Sequence, residues 1–284
     1  MTIGILYIAT GPYIAFWKDF YASFEARFLP GMEKRYYVFT DAERIEGENN
    51  LHVRRIPITH QPWPLITLLK FDTFLSIEED LKKNDYLYFP NANVVCEHTV
   101  SEAEFLPRKE KGERLIFTVH PGFMGVKGSR APYERNRASL AYVPYHLGKT
   151  YVFGAMNGGE TESYLAMCGT LADRIRQDLS HNIIARLHDE SHINRYLIHR
   201  TDARILSPAY CYPVGVDVNF ERKIVGVSKK AIFDIDAFKG SAPEPPPLSG
   251  VRLLANRAQE RGFRWLCQGR ACRDFLLRRD VGLL

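Results

Sequence analysis

The chain has 284 residues, 45% of them hydrophobic and 12% aromatic, enough to bury one large core. Its net charge is +5, yet residues 241–284 carry eight Arg, no Lys and four acids, so +4 belongs to that end and about +1 to everything before it. A near-neutral main part without a basic, aromatic-interleaved stripe argues against nucleic-acid binding. No stretch approaches the roughly 20 apolar residues of a membrane span, and no charged-then-apolar leader is visible, so a cytoplasmic or membrane-peripheral protein is expected. The five cysteines, Cys96, Cys168, Cys211, Cys267 and Cys272, are odd in number and lack CxxC spacing, which leaves reduced thiols as the default.

In chain order, "IGILYIAT" (3–10) is an apolar, β-rich run that stops at Gly11-Pro12, and "IAFWKDFYASFEARFL" (14–29) repeats its apolar residues at three and four, as a helix does. "RYYVFTD" (35–41) and "HVRRIPI" (52–58) read as strands, and "LLKFDTFLSIEEDLKK" (68–83) as one helix leading into the strand of "DYLYFPNAN" (85–93). Further on come "RLIFTVHPGF" (114–123), "YVFGAMNGG" (151–159), the helix "TESYLAMCGTLADRIRQDL" (161–179) and "HDESHINRYLIHR" (188–200). Strands alternating with helices predict an α/β sheet with its ligand site beyond the strands' carboxyl ends, so the loops after Ala9, Thr40 and Phe89 are expected on one rim. At residue 241 "SAPEPPPLSG" breaks the pattern, giving a domain over 1–240 and a Pro-rich linker with a poorly ordered Arg-rich tail over 241–284. An alternative for the tail is an amphipathic helix resting on anionic membrane.

Two motifs carry chemistry. In "HDESHINRY", His188 and His192 are four apart and share a helix face, which is how two imidazoles bind zinc; Asp189, not a glutamate, follows the first histidine, which departs from the zinc-protease pattern. The adjacent carboxylates Asp189 and Glu190 also suit an acidic centre, one facing a reacting carbon and the other holding hydroxyls, or simply the acidic first turn of a helix. In "PNAN", Asn91 and Asn93 stand where many nucleotide-sugar enzymes hold two aspartates on a divalent metal, and amides offer a cation little charge. "DIDAFKG" (234–240) lacks the later acidic ligands of a calcium loop.

Taken together, "PNAN", "TVHPGF", "YERNRASLAYVP", "NGG" after "YVFGAM", "HDESHINRYLI" and "LSPAYCYP" resemble glycosyltransferase family 6 over residues 1 to about 225. That family includes the histo-blood-group A and B transferases and the α-1,3-galactosyltransferase. The likeness is greatest to the bacterial branch, whose members lack the Golgi anchor and stem and often carry NxN in place of DxD. It implies a GT-A fold, a Rossmann-like mixed sheet flanked by helices. It also implies retaining transfer of Gal or GalNAc from UDP-Gal or UDP-GalNAc to an acceptor galactoside in α-1,3 linkage, the acceptor being fucosylated in blood-group-like cases. No divalent metal and no other cofactor is expected.

Carried over by position, the resemblance implies a catalytic role for Glu190, with His188 and Asp189 holding the sugar. It implies donor contacts from Tyr7, Ile8, Ala9, Tyr13, Lys70, Asn91, Ala92 and Asn93. Phe153, Gly154 and Ala155 would line the pocket around the sugar's C2 substituent; Ala155 stands where the GalNAc-using blood-group enzyme has glycine, so its methyl leans the donor toward UDP-Gal. Lys229 and Lys230 are candidates for the basic residues that close over the diphosphate, although the chain departs from the family pattern after about Lys223. His120, Pro121, Phe123 and Asn157 would meet the acceptor. The alternatives are a zinc hydrolase built on His188 and His192 and an inactive UDP-sugar-binding protein.

Overall fold

The computed structural model describes residues 1–215 and 218–239; the expected linker and tail over 241–284 lie outside the described residues. The first strand, β1 (Thr2–Ile8), is buried along most of its length, as a continuous apolar run between helix layers requires. A 3₁₀ turn leads into α1 (Trp17–Arg27), whose Trp17, Phe20 and Phe24 turn to the core, Phe20 stacking on Phe24 with ring centroids 4.0 Å apart. Strands β2 (Glu33–Thr40) and β3 (Val53–Pro57) come next. The single helix expected over 68–83 is three short ones, α2 (Leu65–Leu68), α3 (Lys70–Leu75) and α4 (Glu78–Leu81), because Leu69 and Ile77 hold ψ at 4° and 28°, well off the helical value of about −42°.

After β4 (Tyr86–Phe89) come the short β5 (Val94–Cys96), α5 (Glu102–Phe105) and β6 (Leu115–Val119). Next are β7 (Val152–Glu160), the long α6 (Thr161–Ser180), α7 (His188–Tyr196) and β8 (Ala203–Leu206). The described chain ends with β9 (Tyr212–Pro213), β10 (Ile224–Gly226) and α8 (Ile235–Lys239), so residues 235–239 of "DIDAFKG" form a helix rather than a calcium loop.

Among the described residues seven strands form one sheet in the order β3-β2-β1-β4-β7-β6-β8. Within it only β7 runs against the rest, antiparallel to both β4 and β6. This is the mixed, helix-flanked sheet of the GT-A type. The carboxyl ends of β1, β2, β4 and β6 therefore share a rim with the amino end of β7. The loops after β1 and β2 are joined there by the Gly11 N–H, which donates to both carboxylate oxygens of Asp41 at 2.9 and 3.1 Å. From inside the sheet the Tyr7 hydroxyl donates to the Ala92 carbonyl at 3.0 Å, fixing the loop after β4. A second, three-stranded sheet, β5-β10-β9, ties that loop to the C-terminal part of the described chain.

One irregularity shapes the rim. Val152 pairs with Val119 and Asn157 with Phe117, so four residues of β7 stand against the single Thr118 of β6. The surplus is absorbed by a wide bulge in which Met156 takes a left-handed φ of 57° and the Thr118 hydroxyl donates to its carbonyl at 3.1 Å. Bulges of this kind re-aim a strand, and here the residues pushed outward are Phe153, Gly154 and Ala155.

Candidate active site

Helix α7 delivers its first turn onto that bulge. Asn194 fixes the docking by acting as a strand partner: its side-chain oxygen accepts the Val152 N–H at 2.9 Å and its NH₂ donates to the Val152 and Glu190 carbonyls, each at 2.9 Å. The Ser191 hydroxyl accepts the Leu187 N–H at 3.0 Å, closing the start of the helix. His188 opens the helix with a left-handed φ of 50°, its ring met edge-on by Trp63 at 4.6 Å. The next two residues, Asp189 and Glu190, are buried at the positive end of the helix, beneath the bulge.

Their electrostatics differ sharply. Asp189 is ion-paired with Lys70, whose Nζ lies 2.5 Å from its carboxylate and also donates to the Gly154 carbonyl at 2.7 Å. Lys70 is 4% exposed, so its ammonium is held by the pair, this carbonyl and the faces of Phe89 and Phe71 at 4.6 and 5.1 Å. Glu190 has no such counter-ion in contact. It accepts the Gly154 N–H at 2.7 Å through one oxygen, while its other oxygen is buried near the Tyr151 hydroxyl, short of a well-formed hydrogen bond. Burial pushes its carboxyl up from 4.5 to about 8; the Asp189 charge adds to this, and the Gly154 N–H, the Tyr151 hydroxyl and the Lys70 charge oppose it. Gly154 is sterically required here, since an added Cβ would lie 2.9 Å from the Glu190 Cβ and 3.2 Å from the nearest carboxylate oxygens.

Above this floor opens a cleft along the rim. Twelve of the residues picked out in the sequence line it: Ile8, Tyr13, Lys70, Asn91, Ala92, Phe153, Gly154, Ala155, His188, Asp189, Glu190 and Lys229. Lys229 is buried at the mouth with its ammonium 5.2 Å from the Tyr13 ring. The others stand behind the wall or away from it. Tyr7 and Ala9 are buried in and beside β1, Lys230 is exposed, and Asn93 is turned from the cleft. Of the expected acceptor contacts, Asn157 is fully buried, and His120 and Pro121 are buried too. The His120 Nδ1 accepts the Gly122 N–H at 3.0 Å, its ring backs onto Phe153, and burial pushes it down to about 3, so it is a neutral support. Phe123, beside it, is partly exposed.

Sequence reasoning missed several lining residues: Thr10, His60, Trp63, Ile66, Thr67, Phe89, Leu187 and Phe238. The Thr10 hydroxyl bonds the His60 ring at 2.9 Å, and Phe238 packs against both His60 and Tyr13. Of these only Trp63, an aromatic residue set between prolines in "QPWP", carries a sequence signal, that of a rigid loop.

Neither metal reading fits the residues present. His188 faces the cleft, whereas His192 is buried with Nε2 3.6 Å from the Asp178 carboxylate, so the two histidines do not meet at one site. Among the described residues no three His, Cys, Asp or Glu side chains come together to hold a metal ion. In the loop after β4, the Asn91 side-chain oxygen accepts the Ala92 N–H at 3.1 Å and the Asn93 NH₂ donates to the Val227 carbonyl at 2.6 Å. The Asn93 oxygen is buried without a hydrogen-bond partner, and neither amide presents a carboxylate to a cation.

Comparison with known proteins agrees with this architecture. The family model described as Glycosyltransferase family 6 matches residues 1–231. The chain is 37% identical over 225 residues to the O-antigen biosynthesis glycosyltransferase WbnI of Escherichia coli, covering 79% of this chain and 94% of that protein. It is 31% identical over 219 residues to the Globoside alpha-1,3-N-acetylgalactosaminyltransferase 1 of Gallus gallus and 28% over 216 residues to the Histo-blood group ABO system transferase 2 of Rattus norvegicus. These matches take in 62% and 63% of the two vertebrate proteins' lengths, and 75% and 74% of this chain. With the match running from the first strand through Lys229, the chain belongs to glycosyltransferase family 6 and is a glycosyltransferase that takes a nucleotide-sugar donor and a glycan acceptor.

Proposed function

We propose that the protein is a retaining α-1,3-glycosyltransferase that moves Gal or GalNAc from a UDP-sugar to a galactoside acceptor without a divalent metal. The observation that carries this reading is the buried Glu190 carboxylate at the cleft floor, with Lys70 beside it and Lys229 at the mouth. When the bond from sugar C1 to the diphosphate breaks, positive charge grows on the sugar and negative charge on the leaving UDP. Glu190 supplies the negative group for the first, whether by attacking C1 or by stabilising the cation. Lys70 and Lys229 supply the positive groups for the second. Asp189 holds the Lys70 ammonium in place, and the Gly154 N–H steadies the carboxylate. The apolar rim of Ile8, Tyr13 and Phe153 excludes water, which strengthens each of these interactions.

The relatives named for alpha-1,3-N-acetylgalactosaminyl transfer support a GalNAc donor and an α-1,3 linkage. Ala155, which lines the cleft, favours the smaller C2 substituent of UDP-Gal. Mass spectrometry of the products from a panel of UDP-sugars and fucosylated and unfucosylated galactosides tests donor, acceptor and turnover together. An α-1,3-linked Gal or GalNAc product supports the reading, and UDP-sugar binding with no product from any pair overturns it.

A further inference from the structure

The Gly154 backbone is gripped from three sides, and one grip comes from a pair of residues with no place at the cleft. The Asn157 NH₂ donates to the Gly154 carbonyl at 2.9 Å, and its oxygen accepts the Tyr164 hydroxyl at 2.7 Å. Asn157 and Tyr164 are both fully buried, so the two bonds form in a medium where each is strong and where an unpaired amide is costly. The same carbonyl takes the Lys70 ammonium, and the N–H on the other side of the Gly154 Cα donates to Glu190. A glycine inside a bulge rotates about both flanking bonds at little cost, so its peptide groups point where their partners hold them. Lys70 alone is a poor anchor for this purpose, because a bound diphosphate competes for its ammonium. A neutral amide, backed by a phenol on α6, keeps the carbonyl fixed whatever Lys70 does.

We propose that Asn157 and Tyr164 are positioning residues: through the Gly154 carbonyl they hold the turn of β7 that presents the Gly154 N–H to Glu190. The inference rests on the reading of Glu190 as the carboxylate at the reaction centre. The groups facing Glu190 are Asp189 on its own helix, Lys70 from α3, Tyr151 at the start of β7 and Cys211 from the turn before β9. Lys70 shares the Gly154 carbonyl with Asn157, so a change at 157 or 164 reaches Glu190 through this one peptide, by the Gly154 N–H and the Lys70 ammonium together.

The test is the pH–rate profile of the full chain with UDP-sugar and acceptor for Asn157→Leu, Tyr164→Phe and Glu190→Gln. Asn157→Leu removes the donor to Gly154, and its transfer rate is expected to fall about tenfold or more with donor KM changed by less than about threefold. Loss of a hydrogen bond to the ionised form raises a carboxyl further, so the acid limb of the profile moves to higher pH by about half a unit or more. Tyr164→Phe, which deletes one hydroxyl, shifts the limb in the same direction by less, and it decides the question if Asn157→Leu does not fold. A purely structural pair would lower the melting temperature and leave the limb in place, and that result in the folded variants overturns the positioning role. A Glu190→Gln enzyme of nearly parental rate overturns the reading of Glu190 and this inference with it. Loss of rate in Glu190→Gln beside parental limbs in the other two overturns the inference alone.

Discussion

Replacing Glu190 by Gln should make the protein more stable and less active, and the gain in stability should depend on pH. The carboxyl is buried, held by the Gly154 N–H with the Tyr151 hydroxyl nearby, and raised from 4.5 to about 8. An acid whose value is higher in the fold than in the unfolded chain stays protonated in the fold while the unfolded chain ionises. The fold is therefore unpenalised below about 4.5 and loses stability as pH rises, levelling off above about 8. At 1.36 kcal/mol per pH unit that interval corresponds to about 5 kcal/mol as an upper bound. Relaxation and water penetration reduce such penalties, so about half is expected, which for a domain of this size is a rise in Tm of roughly 5–10 °C. Glutamine keeps the volume, offers an oxygen to the Gly154 N–H and never ionises. Thermal unfolding of parent and Glu190→Gln, measured by calorimetry at pH 5 and pH 8.5, should give matching Tm values at the lower pH and a more stable variant at the higher one. Transfer should fall by roughly 10²–10⁴, the scale of losing a nucleophile or a principal electrostatic stabiliser. A Tm difference that does not change with pH, or a variant less stable at pH 8.5, would refute the idea that this carboxylate is held against its desolvation.

Activity should survive excess EDTA and gain little from manganese, measured as initial rates in chelated buffer; complete loss on chelation, restored by metal, contradicts the reading of Asn91 and Asn93. Ala155→Gly should raise the ratio of UDP-GalNAc to UDP-Gal turnover, by an amount bounded by the 1–3 kcal/mol that roughly one methyl is worth in a pocket, and a parent enzyme that already prefers UDP-GalNAc tenfold defeats the steric argument. Gly154→Ala puts a methyl 2.9 Å from the Glu190 Cβ, so it should destabilise by about 1–3 kcal/mol and cut kcat more than it raises donor KM. Equal Tm and kcat in that variant would mean that α7 moves freely against β7.

The strands and the rim were legible in the sequence because their signal is local: "IGILYIAT" and "YLYF" are short, β-rich apolar runs that end at Gly or Pro, and the loop beyond a parallel strand's carboxyl end is where such a sheet binds its ligand. Lys70 and Asp189 lie 119 residues apart, and only the motif likeness suggested that they meet at one site with Glu190. Asn157, expected at the acceptor, is buried away from the cleft for a definable reason. Alternation along a strand puts residues 153, 155 and 157 on one face, but the bulge and left-handed Met156 break the period, so Asn157 turns inward while Phe153 and Ala155 reach the cleft. The helix over 68–83 broke at Leu69 and Ile77, residues of ordinary helical tolerance, which no propensity marks. His60 and Phe238 take positions set by tertiary partners, Thr10 and Tyr13, far away in sequence.

The amide at position 93 bears on which changes this enzyme can undergo. Asn93 donates to the Val227 carbonyl and receives the Val227 N–H on its own carbonyl at 2.8 Å, extending the β5–β10 ladder by one side chain. Two residues beyond Val227 lies Lys229, the cation at the mouth of the cleft. An aspartate at 93 cannot donate, and its charge would face a carbonyl oxygen in a buried place, at a cost of about 1–3 kcal/mol or more. A mutation toward a metal-binding carboxylate would thus loosen the very segment that brings Lys229 into position. The one side-chain nitrogen of Asn93 thus ties the loop after β4 to the segment that carries Lys229, so a change at position 93 is felt at the mouth of the cleft as well as in the loop.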